Sequence, residues 1–181
     1  MNELSPSSAA QIARGVYRLQ TDSVSTIHDR GQSLGCEEYF QVGDSSKFQG
    51  RSGSLAWKKL SGFGYIAEGK GKFQGDALFV TRGTTTMSDW LSNFNIGMQI
   101  GPGGHLVHTG FHEVWKSFSS DIKSFMQGRN LTCVHCVGHS LGGALAALNA
   151  DYLSTIGAGQ VKLYTFGPPR AGSMVFSLSL T

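Results

Sequence analysis

Charged side chains are scarce in this chain of 181 residues: Asp, Glu, Lys and Arg make up 15% of it, against about 25% in typical soluble domains. The net charge of +3 is small, and the basic residues are scattered along the chain, so nucleic-acid binding is not expected. Runs of about 20 apolar residues are missing, which argues against a transmembrane helix. The N-terminus lacks the apolar core of a signal peptide. We therefore expect a cytoplasmic protein, or one exported by a non-classical, effector-type route.

Cysteine is also rare, with only Cys36, Cys133 and Cys136 present. An odd number of cysteines in a chain of this length does not indicate a disulfide framework. Cys133 and Cys136 form a C-x-x-C pattern, but residues 131–137 have the composition of a buried strand. Positions three apart in a strand face opposite sides of the sheet. We therefore predict two buried thiols that share neither a metal ion nor a disulfide.

The chain is rich in glycine, with 25 residues, and has enough apolar side chains (40%) to form a folded core. Glycine at this frequency, without a collagen-like period, indicates turns and close backbone approaches. We expect one domain over residues 1–181, with a helical and loop region at 1–62 and a core at 63–181. The polar, glycine-rich stretch 21–61 should hold loops and one short helix.

Apolar periodicity predicts alternating strands and helices in the core. Strands are expected at 63–67, 76–81, 131–137 and 161–166, and helices at 6–19, 111–126 and 141–156. The first two strands should form an antiparallel hairpin. The later strand–helix–strand order implies a mainly parallel sheet with helices on both faces, an α/β fold. Because residues 161–166 are apolar on both faces, we expect further strands beyond the C-terminus of this chain.

The segment Gly138-His139-Ser140-Leu141-Gly142 matches the G-x-S-x-G pattern between a strand and a helix. A serine at this sharp turn projects clear of the sheet, and the glycines on either side allow neighbouring backbone to approach. The helix N-terminus stabilises negative charge that develops beside the serine. We predict that Ser140 is a catalytic nucleophile. The alternative is a glycine-rich turn that only packs a helix on a sheet.

A catalytic serine needs a histidine base and an orienting carboxylate. After Ser140 the sequence has no histidine and a single acid, Asp151. Asp151 lies about 16 Å along the following helix and cannot orient the base. His139 should point to the opposite side of the turn. We therefore expect the Asp and His of the triad to come from outside residues 1–181.

A metal site is not expected at His105, His108 and His112, although these residues lie close together in the sequence. Gly101, Gly103, Gly104 and Gly110 interrupt any helix that could align them. The proposed chemistry requires neither a metal ion nor an organic cofactor.

Residues 138–144 resemble the nucleophile elbow of the class 3 lipases, a fungal-type family within the α/β-hydrolase superfamily. Three further segments resemble the same family in the same order: 79–84 with Asp89-Trp90-Leu91, then 107–111, then 164–172. The resemblance extends over about residues 63–176 and corresponds to the N-terminal two-thirds of the family's domain. It implies an α/β-hydrolase core whose C-terminal strands are missing from this chain.

The resemblance also implies roles for residues around Ser140. Thr84 and Leu141 match the oxyanion hole, and His108 matches a position near the pocket. Residues 85–95 match the lid, for which we single out Thr85, Met87, Trp90 and Leu91. For Trp90 an ordinary core position is the alternative.

These features predict a serine ester hydrolase of the triacylglycerol lipase or phospholipase type, acting through an acyl-enzyme at a membrane or lipid surface. This chain alone should be inactive or very weak. The alternatives are an inactive fragment that binds its complementary C-terminal fragment or another protein, and a peptidase or thioesterase. Some bacterial proteins resembling this family are secreted toxins with a neutralising partner protein, so such a partner is a further possibility by analogy.

Overall fold

A computed structural model describes residues 2–52, 59–84 and 97–180. The strands are β1 (Phe40–Gln41), β2 (Lys47–Ser52), β3 (Lys59–Gly69), β4 (Ala77–Thr81), β5 (Met98–Ile100), β6 (Leu106–His108), β7 (Cys133–His139) and β8 (Gln160–Phe166). The helices are α1 (Pro6–Gly15), α2 (Val24–Asp29), α3 (Thr109–Lys116), α4 (Ser119–Met126), α5 (Leu141–Thr155) and α6 (Met174–Leu178). Within these ranges, every helix is too short or too polar to cross a membrane.

The main sheet has the strand order β1-β3-β4-β7-β8, and β2 also pairs with β3. The predicted hairpin is present, since β3 and β4 pair antiparallel. β7 lies between β4 and β8 and is parallel to both. The α/β class is confirmed, and the described sheet is mixed, because β3 is antiparallel to each of its three neighbours.

Helices cover both faces of this sheet, which explains why its central strands are apolar throughout. All five residues of β4 are buried, and so are six of the seven in β7. On one face α1 packs Ile12 and Ala13 into a cluster with Leu78 and Val137. On the other face, α3 and α5 pack against Phe79, Val134 and Cys136. Cys133 and Cys136 are both buried, as predicted, and both are free thiols.

Residues 1–62 contain more sheet than the sequence indicated. α1 and α2 fall within or beside the expected helices, but β1 and β2 add two strands to β3. β2 is polar apart from Phe48, whose ring is 1% exposed and stacks on Phe118 at 4.9 Å between ring centroids. Pairing with β3 therefore forms a strand whose own side chains carry little apolar pattern.

The single helix predicted at 111–126 is wrong, since the chain forms α3 and α4 with a break between them. Phe118 leaves helical geometry, with φ −126° and ψ 0°. Its ring is fully buried and lies within 5.8 Å of the Phe63 ring, in addition to the contact with Phe48. The free energy gained by packing this aromatic side chain against the sheet exceeds the cost of interrupting the helix.

Asp151 connects α5 to the loop between β5 and β6. Its side chain is 3% exposed, and it accepts a hydrogen bond from the Gly103 N–H at 3.0 Å. His105 Nδ1 lies 2.8 Å from the other carboxylate oxygen. Both oxygens are thus used in holding this loop, which supports the interpretation that Asp151 is not the orienting acid of a triad.

We expect Asp151→Ala to lower the free energy of unfolding by about 1–3 kcal/mol, because it leaves the half-buried Gly103 N–H and His105 ring without their acceptor. Urea denaturation followed by circular dichroism measures this change. The matched control is Asp29→Ala at the exposed end of α2, which should change stability by less than about 0.5 kcal/mol. Equal effects of the two substitutions would show that the loop contact contributes nothing.

Candidate active site

Ser140 lies at the junction of β7 and α5 in a strained backbone conformation. Its φ of 55° and ψ of −130° make it the one non-glycine residue with positive φ in the described ranges. Such a conformation costs about 1–3 kcal/mol and persists only where surrounding contacts impose it. Here the Ser140 N–H donates to the Phe166 carbonyl at 2.9 Å, and the Ser140 carbonyl accepts from the Gly143 N–H at 2.8 Å.

The two elbow glycines allow neighbouring backbone to approach more closely than any other residue would permit. A Cβ on Gly138 would lie 2.1 Å from the Gly142 carbonyl oxygen. A Cβ on Gly142 would lie 2.2 Å from the Thr81 carbonyl oxygen. Both distances are far below a van der Waals contact. The spacing of glycines read from the sequence therefore has a direct steric cause in the packing of β4, β7 and α5.

The C-terminal end of β4 is fixed against the same turn. Thr81 Oγ1 is buried and donates to the Gly142 carbonyl at 2.6 Å. Arg82 is 4% exposed, and its guanidinium donates to the carbonyls of Gly62 and Gly83. Gly83 is so close to the elbow that a Cβ there would lie 3.2 Å from the Ser140 Cβ. The next residue along, the half-buried Thr84, therefore follows a segment held beside the serine.

The first turn of α5 follows Ser140 directly. Leu141 is the first helical residue, and its side chain is buried. Backbone N–H groups of a first helical turn have no partner within the helix and carry the positive end of its dipole. A helix of 15 residues that begins here thus favours negative charge beside Ser140. This is the electrostatic requirement of an oxyanion hole.

Tyr17 is a residue of this site that the sequence did not indicate. Its hydroxyl lies 2.8 Å from His139 Nδ1. The same hydroxyl packs on Gly83, where a Cβ would approach it to 2.4 Å. Burial raises the pKa of the Tyr17 phenol, so it stays neutral near neutral pH. Tyr17 therefore connects the elbow with the end of β4. Its role could not be predicted from the sequence, because only the tertiary fold brings these segments together.

An open cavity of about 310 Å³ lies next to this contact. Its lining residues belong to α1, the turn after it, and the ends of β7 and β8: Ala10, Ala13, Arg14, Tyr17, His139 and Phe166. His139 thus faces the N-terminal helix, which supports the interpretation that it points away from the substrate side of the elbow.

The remaining histidines have separate environments. His108 caps α3, and its Nδ1 accepts a hydrogen bond from the Gly110 N–H at 3.2 Å. Desolvation lowers the pKa of His108, so its ring is neutral near neutral pH. His105 contacts Asp151, and His112 lies on α3. Within the described ranges these three histidines do not converge as ligands of one ion.

The predicted lid residues lie outside the described residues. These residues are Thr85, Met87, Trp90 and Leu91. Their roles stay predictions from the sequence.

We expect Gly138→Ala to lower the free energy of unfolding by about 3 kcal/mol or more, since a Cβ overlaps the Gly142 carbonyl. Thermal denaturation followed by circular dichroism measures the loss. Gly43→Ala is the matched control, because the nearest atom to a Cβ there is a serine hydroxyl 3.7 Å away. If Gly138→Ala were as stable as this control, the steric account of the elbow would be wrong.

Known lipases share sequence with the central part of this chain. A secreted mono- and diacylglycerol lipase from Fusarium solani is 39% identical over 106 residues, which is 55% of this chain and 32% of that protein. Phospholipase A1-II 1 from Oryza sativa subsp. indica is 29% identical over 155 residues, which is 67% of this chain and 39% of that protein. The chain thus spans about a third of the length of these curated relatives.

The fold is shared with solved lipase structures. The nonglycosylated lipase from Yarrowia lipolytica superposes with a TM-score of 0.63 at 19% identity, covering 94% of this chain and 60% of that one. This likeness confirms the α/β-hydrolase fold. The family model described as lipase (class 3) matches residues 78–181, more than half of the chain and all of the elbow. The chain therefore belongs to the class 3 lipase family.

Proposed function

We propose that this chain carries the nucleophile and oxyanion hole of a lipid ester hydrolase. The observation that carries the proposal is the strained backbone of Ser140 between a parallel strand and a helix N-terminus. A conformation with positive φ at a serine is costly, and such strain concentrates at functional sites. Family membership and the names of the relatives favour lipase or phospholipase chemistry over a peptidase or thioesterase.

In the proposed reaction Ser140 Oγ attacks the ester carbonyl carbon while its proton passes to a histidine base. Leu141 and Thr84 stabilise the oxyanion through their backbone N–H groups, and the Thr84 hydroxyl adds a third donor. The carbonyl re-forms, the C–O bond to the alcohol breaks, and the histidine returns the proton to the departing alcohol. Water then attacks the acyl-enzyme by the same route and releases the carboxylic acid. Apart from this water, every step uses protein groups alone.

We further propose that the histidine and its carboxylate come from beyond residue 181, in a segment that pairs with β8. Among the described strands, β8 pairs only with β7, and six of its seven residues are half-buried. Helix α6 exposes Met174, Val175 and Leu178 by more than 60% each. Apolar side chains left open along a parallel edge strand are typical of a sheet that continues.

The proposed substrates are acylglycerols or phospholipids presented at a lipid surface. Met98, Ile100 and Leu106 lie on one face of the β5–β6 hairpin and are each about half exposed. This hairpin directly follows residues 85–95, which resemble the lid. His108 and the lid residues Thr85, Met87, Trp90 and Leu91 would contribute to substrate binding in this proposal.

We expect Ser140→Ala to abolish ester hydrolysis by the complete protein, with a loss of about 10⁴-fold or more in kcat/KM. The assay uses p-nitrophenyl esters first and then a panel of triglycerides, diglycerides and phospholipids. Ser119→Ala is the matched control, because Ser119 is also buried but lies at the start of α4. It should retain full activity.

Equal rates for wild type and Ser140→Ala would contradict the hydrolase proposal. That result would favour the alternative in which the chain acts only as a binding partner of its complementary fragment or of another protein. Co-purification followed by mass spectrometry would then identify that fragment or the neutralising protein.

The origin of the acid and base is tested by the intact mass of the active protein. We expect esterase activity to reside in a species larger than 19.4 kDa, or in a complex of this chain with a second fragment. A monomer of 19.4 kDa with full esterase activity that depends on Ser140 would contradict the external triad and leave the nucleophile assignment intact.

Tyr17 should position the elbow without taking part in the reaction. We expect Tyr17→Phe to lower kcat about 10-fold with little change in KM, since one hydrogen bond to His139 is lost and the ring packing is kept. The control is Tyr152→Phe on α5, which should leave kcat unchanged. A change in KM alone would place Tyr17 in substrate binding instead.

A further inference from the structure

A second cluster of reactive side chains lies at the opposite end of the sheet from Ser140. It consists of Asp76, just before β4, together with Cys133 and His135 on β7. Cys133 begins β7 and Ser140 follows its end, so the two are about 23 Å apart along an extended strand. The cluster is therefore separate from the elbow, and the proposed hydrolysis does not use it.

The three side chains are buried and converge. Their exposed fractions are 6% for Asp76, 2% for Cys133 and 0% for His135. One carboxylate oxygen, the thiol sulfur and one ring nitrogen all lie within 4.8 Å of one another. Cys133 and His135 are two residues apart on one strand and so face the same side of the sheet, whereas Cys136 faces the other. Parallel pairing of β4 with β7 brings Asp76 beside them.

The His135 ring is held in an orientation that suits a ligand. Its Nε2 lies 3.3 Å from Asp76 Oδ2, and its Nδ1 lies 3.4 Å from the Tyr164 hydroxyl. That hydroxyl already accepts a hydrogen bond from the Leu4 N–H at 3.2 Å. It can also accept from the ring N–H at Nδ1, which leaves the Nε2 lone pair directed at the cluster. A second hydrogen bond of this kind fixes the tautomer of most metal-binding histidines.

We propose that Asp76, Cys133 and His135 bind a Zn²⁺ ion. Thiolate, imidazole and carboxylate are the ligands that zinc takes in proteins, whereas Ca²⁺ and Mg²⁺ select oxygen alone. Adjacent ligand atoms in a tetrahedral zinc site are about 3.3–3.8 Å apart. His135 Nε2 and Asp76 Oδ2 already have this spacing, at 3.3 Å, so only the Cys133 sulfur needs to approach, by about 1 Å. Three protein ligands leave one position for water.

The charge of the proposed complex suits its buried position. Zn²⁺ with a thiolate, a carboxylate and a neutral imidazole has zero net charge, which avoids the cost of burying an unpaired ion. On binding, the metal–sulfur, metal–nitrogen and metal–oxygen bonds form, and the thiol proton leaves to water. At the edge of the cluster Lys162 is neutralised by Glu3, with 2.6 Å between Lys162 Nζ and a Glu3 carboxylate oxygen.

The site would join the N-terminal layer to the core. His135 contacts the rings of Phe40 and Phe73 edge-on, at 5.9 and 5.4 Å between centroids. Through Tyr164 it is connected to Leu4, and through Asp76 to the start of β4. Zinc would therefore stabilise the arrangement of β1, β4, β7 and β8 at the end of the sheet opposite Ser140.

The test uses the full chain, stripped of metal under reducing conditions and titrated with ZnCl₂ against a chromophoric chelator. We expect one equivalent to bind, and the melting temperature to rise by about 5 °C or more at saturating zinc. CoCl₂ should produce the sulfur-to-cobalt charge-transfer absorption of a thiolate ligand. Surface histidines cannot produce that band.

Cys133→Ala should weaken zinc binding about 100-fold or more and remove the cobalt band. Cys136→Ala is the matched control, because this buried cysteine lies three residues away on the opposite face. Cys136→Ala should keep both the zinc affinity and the cobalt band of wild type. Circular dichroism of the metal-free variants establishes that each is folded, and His135→Gln repeats the test should Cys133→Ala fail to fold.

Failure of wild type to bind zinc would overturn the proposal, and so would equal zinc affinity in Cys133→Ala and Cys136→Ala. In either case Asp76 and His135 form a buried hydrogen bond with no metal. Ester hydrolysis that depends on Ser140 is unaffected by these outcomes, so the two proposals are tested separately.

Discussion

The close approach of three backbone segments at one turn determines the rest of this structure. The end of β4, the end of β7 and the start of α5 meet so tightly that Gly138 and Gly142 have no room for a Cβ. The Thr81 hydroxyl closes the same contact through its hydrogen bond to the Gly142 carbonyl. These contacts impose the positive φ of Ser140, and they do so because the strands are parallel and share one carboxyl edge. The geometry of the candidate active site therefore follows from the way the strands end at this edge.

Buried polar side chains in this domain mostly hold backbone in place. Arg82 donates to the carbonyls of Gly62 and Gly83, and Asp151 accepts from the loop before β6. Each such group would be costly without its partner, so these contacts fix the segments that they join. Asp76 and His135 differ from them, because they contact each other and a thiol at the far end of the sheet. That difference supports the proposed zinc site.

The sequence predicted the central βαβ unit closely. Strands at 131–137 and 161–166 and a helix at 141–156 correspond to β7, β8 and α5, since continuous apolar runs are the pattern of buried parallel strands. It did not predict β2, whose polar side chains give no alternation, or the break at Phe118, where ring stacking overrides helical spacing. It also gave no sign of Tyr17, which reaches His139 across 122 positions of the chain.

The sequence by itself determined the family and the elbow, because these depend on residue types at short, fixed spacing. Only the tertiary structure decided which distant residues meet: Tyr17 with His139, Asp151 with His105, and Asp76 with Cys133 and His135. The physical reason is that strand pairing and helix packing depend on the whole core. A side chain's partner across the sheet is set by the register of β4, β7 and β8, which no local pattern encodes.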